Sequence, residues 1–188
     1  MRKTKMVILC ALFAILTAIG AQIRIPFPIV PITFQTLVVM LSGLLLGARA
    51  GAVSQVFYLF IGLVGLPVFA GGGGINIVAH PTFGFLIGFI PGAYVAGYIG
   101  KKPWGQGSFA YLPACFVSAV AIYICGLAGL YLNLNFLAGK AVTFWAVVKI
   151  GLLPFIPGAI VKFLAASFIT AKVKPLLESG GVLDDINI

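Results

Sequence analysis

Across residues 1–177 the chain carries no aspartate or glutamate; its three acids, Glu178, Asp184 and Asp185, all stand in the tail. A water-exposed surface built on 12 Lys+Arg and so few acids would be a field of one sign, which opposes a compact state. The composition points elsewhere: 62% of the residues are hydrophobic, only 8% are charged, and the mean hydropathy is +1.19. Such a chain belongs among integral membrane proteins. The missing acids also remove function classes. There are no paired carboxylates for acid–base chemistry, no acidic proton relay, no carboxylate metal site and no acidic magnesium ligand. One histidine, His80, and three cysteines without metal-ligand spacing, Cys10, Cys115 and Cys125, point to no metal centre. The cysteines fall in apolar runs and read as free, buried thiols.

Arg2, Lys3 and Lys5 precede an apolar run over residues 6–23, close to the roughly 20 residues that cross a bilayer as a helix. The run leads into further hydrophobic sequence with no cleavage site ahead of a soluble domain, so it reads as a span and not a signal peptide. Within it, Ala14 and Ala18 have the small-xxx-small spacing that admits another helix closely, either a neighbour in the same chain or a partner. Residues 34–46, 50–66, 82–100, 109–132 and about 157–173 supply five more spans. Residues 144–153 read as an interfacial or re-entrant helix. No internal repeat is visible, and residues 1–188 read as a single transmembrane substrate-binding domain.

The basic residues set the orientation. With the N-terminus in the cytoplasm, that side receives Arg2, Lys3, Lys5, Arg49, Lys101, Lys102, Lys172 and Lys174. The outer loops receive only Arg24 and Lys140, with Lys149 near the outer surface. The expectation is therefore an all-α integral membrane protein with six transmembrane helices, both termini cytoplasmic, and irregular outer loops covering a ligand pocket. The bilayer accounts for the positive charge, and no nucleic-acid partner is expected.

Two outer segments cannot be regular helices. Residues 24–33 hold three prolines, Pro26, Pro28 and Pro31, and read as an extended connection folded back onto the protein, which is tolerated at membrane depth where it is buried or lines a cavity. Residues 67–81 hold four consecutive glycines, whose backbone amides can approach a small ligand. That loop lacks the lysine and hydroxyl of a phosphate-binding loop. Asn76, His80 and Thr82 are its polar candidates, His80 reading as structural. Gln35, Thr36, Gln55 and Tyr58 are polar tips on or beside the helices, able to bond a ligand or a neighbouring helix.

The stretch GLLPFIPGAIVKFLAA at residues 151–166 places one cation, Lys162, inside an apolar run. Pro157 suits a helix start, leaving the N–H groups of Gly158, Ala159 and Ile160 free. Gly158 and Lys162 share a face, which leaves space above the ammonium group about 8 Å below the helix start. A helix N-terminus and a lysine both attract negative charge, which makes a carboxylate site; the alternative is a lysine that snorkels to an interface.

Four segments extend this reading: RIPFPIVPITFQTLVVMLSGLLLG at residues 24–47, YLFIGLVGLPVFAGG at 58–72, HPTFGFLIGFIPGA at 80–93 and LPFIPGAIVK at 153–162. On these segments the chain resembles, over nearly its whole length, the BioY family, the biotin-specific S components of energy-coupling factor (ECF) transporters. The resemblance implies a six-helix protein of a bacterial or archaeal cell membrane that captures biotin from outside with high affinity. It implies docking through helix 1, at Ala14 and Ala18, onto a transmembrane T component driven by two ABC ATPase subunits. It implies no enzymatic activity and no cofactor. Two motifs depart from the family pattern. The usual Gly-Asp-x-x-Lys appears as Gly158, Ala159 and then Lys162, and the usual Gly-Pro-Thr-Gly-Gly-Tyr as His80, Pro81, Thr82, Phe83, Gly84 and Phe85.

For biotin, Lys162 beneath Gly158 would meet the valerate carboxylate, and Gln35 or Asn76 the ureido group. Thr33 and Thr82 are further polar ligand contacts, while Tyr58, Tyr123 and the glycine backbone, including Gly72 and Gly73, are walls. The alternative within transport is a stand-alone small-molecule facilitator or secondary transporter, which an acid-free core without inverted repeats suits poorly. A membrane hydrolase would lack its chemistry, and a purely structural bundle would bind nothing.

Overall fold

The computed structural model describes residues 2–27, 29–105 and 107–181. Among these residues the chain forms seven α-helices: α1 (Arg2–Gln22), α2 (Gln35–Leu46), α3 (Ala48–Leu63), α4 (Phe83–Ile99), α5 (Leu112–Leu132), α6 (Phe144–Gly151) and α7 (Ile156–Ser179). Between α1 and α2 lie two short antiparallel strands, β1 (Arg24–Ile25) and β2 (Ile32–Thr33). 3-10 turns occupy Ile75–Ala79 and Leu153–Phe155, and a π-helical turn, Asn133–Leu137, closes α5.

Helix positions follow the apolar runs closely, but their lengths differ. Three helical stretches are long and apolar enough to cross a membrane: Thr4–Gln22, Leu112–Leu137 and Phe144–Ser179, the last joining the short α6 to α7. The helices α2, α3 and α4 have 12, 16 and 17 residues, about 18–26 Å at 1.5 Å per residue against a hydrocarbon core of about 30 Å. Gly47 shows one cause. Its φ of 86° ends α2 and starts α3 at a single residue, a conformation that glycine adopts without a Cβ clash.

Helix α4 lies at the centre because small residues line more than one of its faces. Gly84 and Gly88 face α5, where an added methyl would come within 2.6 Å of the Cys125 carbonyl oxygen and 2.8 Å of that of Ile122. Ser118 Oγ closes the same seam by donating to the Gly92 carbonyl at 2.8 Å. On another face, Gly97 packs against the Gly47–Ala48 corner, and Gly43 of α2 abuts Ala93. Glycines four apart thus mark helix crossings. Outward positions are apolar, with Phe116, Ile124, Val161 and Phe168 exposed, as a lipid-facing surface requires. At the far end of α7 from Lys162, Lys174 Nζ donates to the Gly100 carbonyl at 2.9 Å and lies 5.2 Å from the centre of the Tyr111 ring.

Candidate functional site

At one end of the bundle a cavity of about 560 Å³ is enclosed by the segments between helices and the helix ends beneath them, a volume suited to one small ligand. Residues 24–33, the glycine loop and the entry to the last helix all contribute to it, as the sequence leads one to expect. Prolines keep residues 24–33 out of a helix. They fold instead into a hairpin that pairs Arg24 with Thr33 and Ile25 with Ile32. Its root is held where the Phe34 N–H donates to the carbonyls of Gly20 and Ile23 at 3.0 and 3.2 Å. Phe27 on the hairpin meets Phe155 edge-on, with ring centres 6.5 Å apart.

The glycine loop is a tight turn held by its own backbone. Phe69 and Gly72 exchange backbone hydrogen bonds of 2.9 and 3.1 Å, and Gly72 has the positive φ of 112° that this tight turn requires. The Gly74 N–H anchors the loop to the Gly62 carbonyl at 2.7 Å. Gly62, lacking a side chain, leaves the space that the Phe69 ring fills. The glycines therefore serve to deliver Phe69, Ala70 and Gly71 to the cavity wall, and Gly72 and Gly73 stand outside the lining.

Among the polar groups on this largely apolar enclosure, two stand out. Lys162, 9% exposed, lies six residues into α7 and donates from Nζ to Thr36 Oγ1 at 3.0 Å. Gly158, one turn earlier, is not part of the lining; a Cβ there would rest 3.8 Å from Ile32 Cγ2, so Ile32 occupies the side that the sequence leaves open. The second group is a hydrogen-bonded series. Thr33 Oγ1 donates to Gln35 Oε1 at 2.8 Å, Gln35 Nε2 donates to the Tyr58 hydroxyl at 2.6 Å, and that hydroxyl donates to the Val68 carbonyl at 3.1 Å. Thr33 and Gln35 line the cavity, whereas Tyr58, 1% exposed, stands behind the wall.

Of the other sequence candidates, Tyr123 lines the cavity, edge-on to Phe85 and Phe155 at 6.0 and 6.4 Å. Thr82 lines it too, with its hydroxyl 2.8 Å from His80 Nδ1, and His80 itself is at the wall. Asn76 is exposed on the Ile75–Ala79 turn and outside the lining. Ala14 is buried and Ala18 half-buried on the side of α1 towards α3, where they border an apolar crevice of about 410 Å³ with Tyr58, Leu66 and Val68. Sequence reasoning did not assign Arg24 or Phe155 to the site, and it left Thr36 as a polar tip able to bond a ligand or a neighbouring helix. Thr36 and Lys162 are 126 positions apart, a separation that no local pattern encodes.

Among the described residues the lining contains two cations, Arg24 and Lys162, and no acid. Its remaining surface is largely aromatic and aliphatic. Such a site suits a small molecule with an apolar body, an anionic end and an amide-like edge.

Residues 1–179 match the profile of the BioY family. The chain is 46% identical over 134 residues to a probable biotin transporter BioY of Lysinibacillus sphaericus, a match covering 71% of this chain and 68% of that protein. It is 39% identical over 186 residues to the biotin transporter BioY of Rhizobium etli, covering 94% and 98% of the two. Its fold is similar to the crystal structure of the S-component for biotin from an ECF-type ABC transporter, with a TM-score of 0.79, 25% sequence identity and 92% of each chain covered. The chain belongs to the BioY family.

Proposed function

We propose that this chain captures biotin as the S component of an ECF-type ABC transporter and that partner subunits drive the uptake. It is a transport component and not an enzyme. The observation that carries the reading is Lys162, a buried lysine on a cavity that no acid lines among the described residues. Among the described residues its hydrogen-bond partner is the neutral hydroxyl of Thr36, so a ligand carboxylate would supply the missing counter-charge in a low dielectric. Family membership and the relatives named for biotin transport support the same conclusion.

In this proposal Lys162 and Thr36 receive the valerate carboxylate, Gln35 with Thr33 meets the ureido group, and Tyr123, Phe69 and Phe155 enclose the rings. Six spans with both termini in the cytoplasm remain our topology, supported by the distribution of basic residues; the short helices α2, α3 and α4 then share the membrane thickness with the hairpin and glycine loop. The T component and two ABC ATPase subunits complete the assembly, and the crevice beside Ala14 and Ala18 is where a helix of the T component would dock.

Calorimetric titration of the purified chain in detergent tests this. Biotin should bind, while biotinamide, which lacks the anion, and the variant Lys162→Met with biotin should each show a loss of about 100-fold, as expected for removing one charge-assisted contact. Equal affinity for biotin and biotinamide would remove Lys162 from the carboxylate site. Uptake into proteoliposomes by this chain alone would point instead to a stand-alone facilitator.

A further inference from the structure

We infer that Tyr58, which lies behind the cavity wall and does not line it, is a positioning residue that fixes which way round Gln35 presents its amide. On this inference Tyr58 tunes the site for an edge carrying an adjoining C=O and N–H. The inference rests on the biotin reading above and adds a residue and a specificity rule to it.

The argument begins at a backbone carbonyl, which can only accept. Val68 O lies 3.1 Å from the Tyr58 hydroxyl, and the hydroxyl has one hydrogen to give. Once that hydrogen is committed to Val68, the Tyr58 oxygen can offer Gln35 only lone pairs. The amide atom 2.6 Å away must therefore be the NH₂ nitrogen, because an oxygen there would set two acceptors against each other. That places Gln35 Oε1 towards Thr33, whose hydroxyl donates to it at 2.8 Å. The polarity of the whole series is thus dictated from the Val68 end.

The anchor is also held in place. The Val68 N–H bonds the Leu66 carbonyl at 2.8 Å, and the Tyr58 ring packs edge-on against Phe69, centre to centre 5.3 Å, and beside Phe89 at 6.4 Å. After its two protein bonds, Gln35 has one N–H and one acceptor lone pair left, and it lies on the cavity wall. A cyclic urea or lactam edge matches that pair. An edge with two acceptors leaves one of them facing Gln35 Oε1, and an unmatched buried polar group discriminates strongly.

The test measures a preference as well as an affinity. Three ligands are titrated into the purified chain: biotin, the weaker-binding of its two carbamate isologues, in which the replacement of one ureido N–H by a ring oxygen turns two acceptors towards Gln35, and oxybiotin, which changes only the distal ring. Tyr58→Phe keeps the ring packing but removes the anchor, freeing both hydrogens of the Gln35 NH₂ for the two acceptors of the carbamate. Thr33→Val releases the other end of the amide. In each variant the preference for biotin over the carbamate should fall about tenfold, the weight of one oriented hydrogen bond, while the biotin-to-oxybiotin ratio stays as in the wild type. A uniform weakening towards all three ligands, or an unchanged carbamate preference, would overturn the positioning role. Failure of the wild type to bind biotin would instead overturn the functional reading itself.

Discussion

Gln35 and Gln55 are both buried in the bundle, 4% and 1% exposed, yet their hydrogen bonding is spent differently. On α3, Gln55 Nε2 lies 3.0 Å from Ser54 Oγ, 3.2 Å from Ser42 Oγ and 3.4 Å from Thr17 Oγ1, with its Oε1 3.5 Å from the same threonine. Those hydroxyls come from α1, α2 and α3, so the amide ties three helices and its capacity is used within the protein. Gln35, the first residue of α2, is held by only two bonds and sits on a cavity wall. The difference teaches that a buried polar side chain is a binding group to the extent that its hydrogen bonding is unspent.

Three substitutions would break or sharpen this contrast. The largest effect is expected for Gln35→Leu: biotin affinity measured by calorimetry should drop about 30-fold, as for two hydrogen bonds of roughly 1 kcal/mol each, with little change in thermal unfolding. Gln55→Leu should do the reverse. Its unfolding free energy should fall by about 1–2 kcal/mol, while biotin affinity is retained, because Thr17, Ser42 and Ser54 keep their bonds to helix carbonyls. A drop in affinity there would erase the distinction. The smallest effect is expected at Thr170, whose buried hydroxyl has no hydrogen-bond partner among the described residues. Thr170→Val should leave thermal stability unchanged or raise it by about 0.5 kcal/mol, since it removes a desolvated group that gains nothing.

The sequence marked both glutamines, Thr36 and Tyr58 as polar tips, and only the family resemblance singled out Gln35 and Tyr58 among them. The reason is physical: the hydroxyls that use up Gln55 come from positions 17, 42 and 54, and the partner of Lys162 from position 36. Such pairings depend on how helices cross. The crossings themselves were more legible, because Gly84, Gly88 and Gly92 recur at helical spacing and face α5 as a row. The proline-rich connection was legible as irregular, whereas its hairpin pairing was not, since strands of two residues carry no period. Asn76, Gly72 and Gly73 lie outside the cavity lining for a related reason. Polarity in a loop signals a possible contact without saying which side of the loop faces the ligand.

The acid-free lining around Lys162 also has an electrical consequence. A charge moved through the full membrane field changes energy by about 2.3 kcal/mol per 100 mV. The two cations of the lining, Arg24 and Lys162, are charges on which that field can act. On the proposed reading, a carboxylate seated against Lys162 cancels one of them, so loading would reduce the pull of the transmembrane voltage on the site without abolishing it.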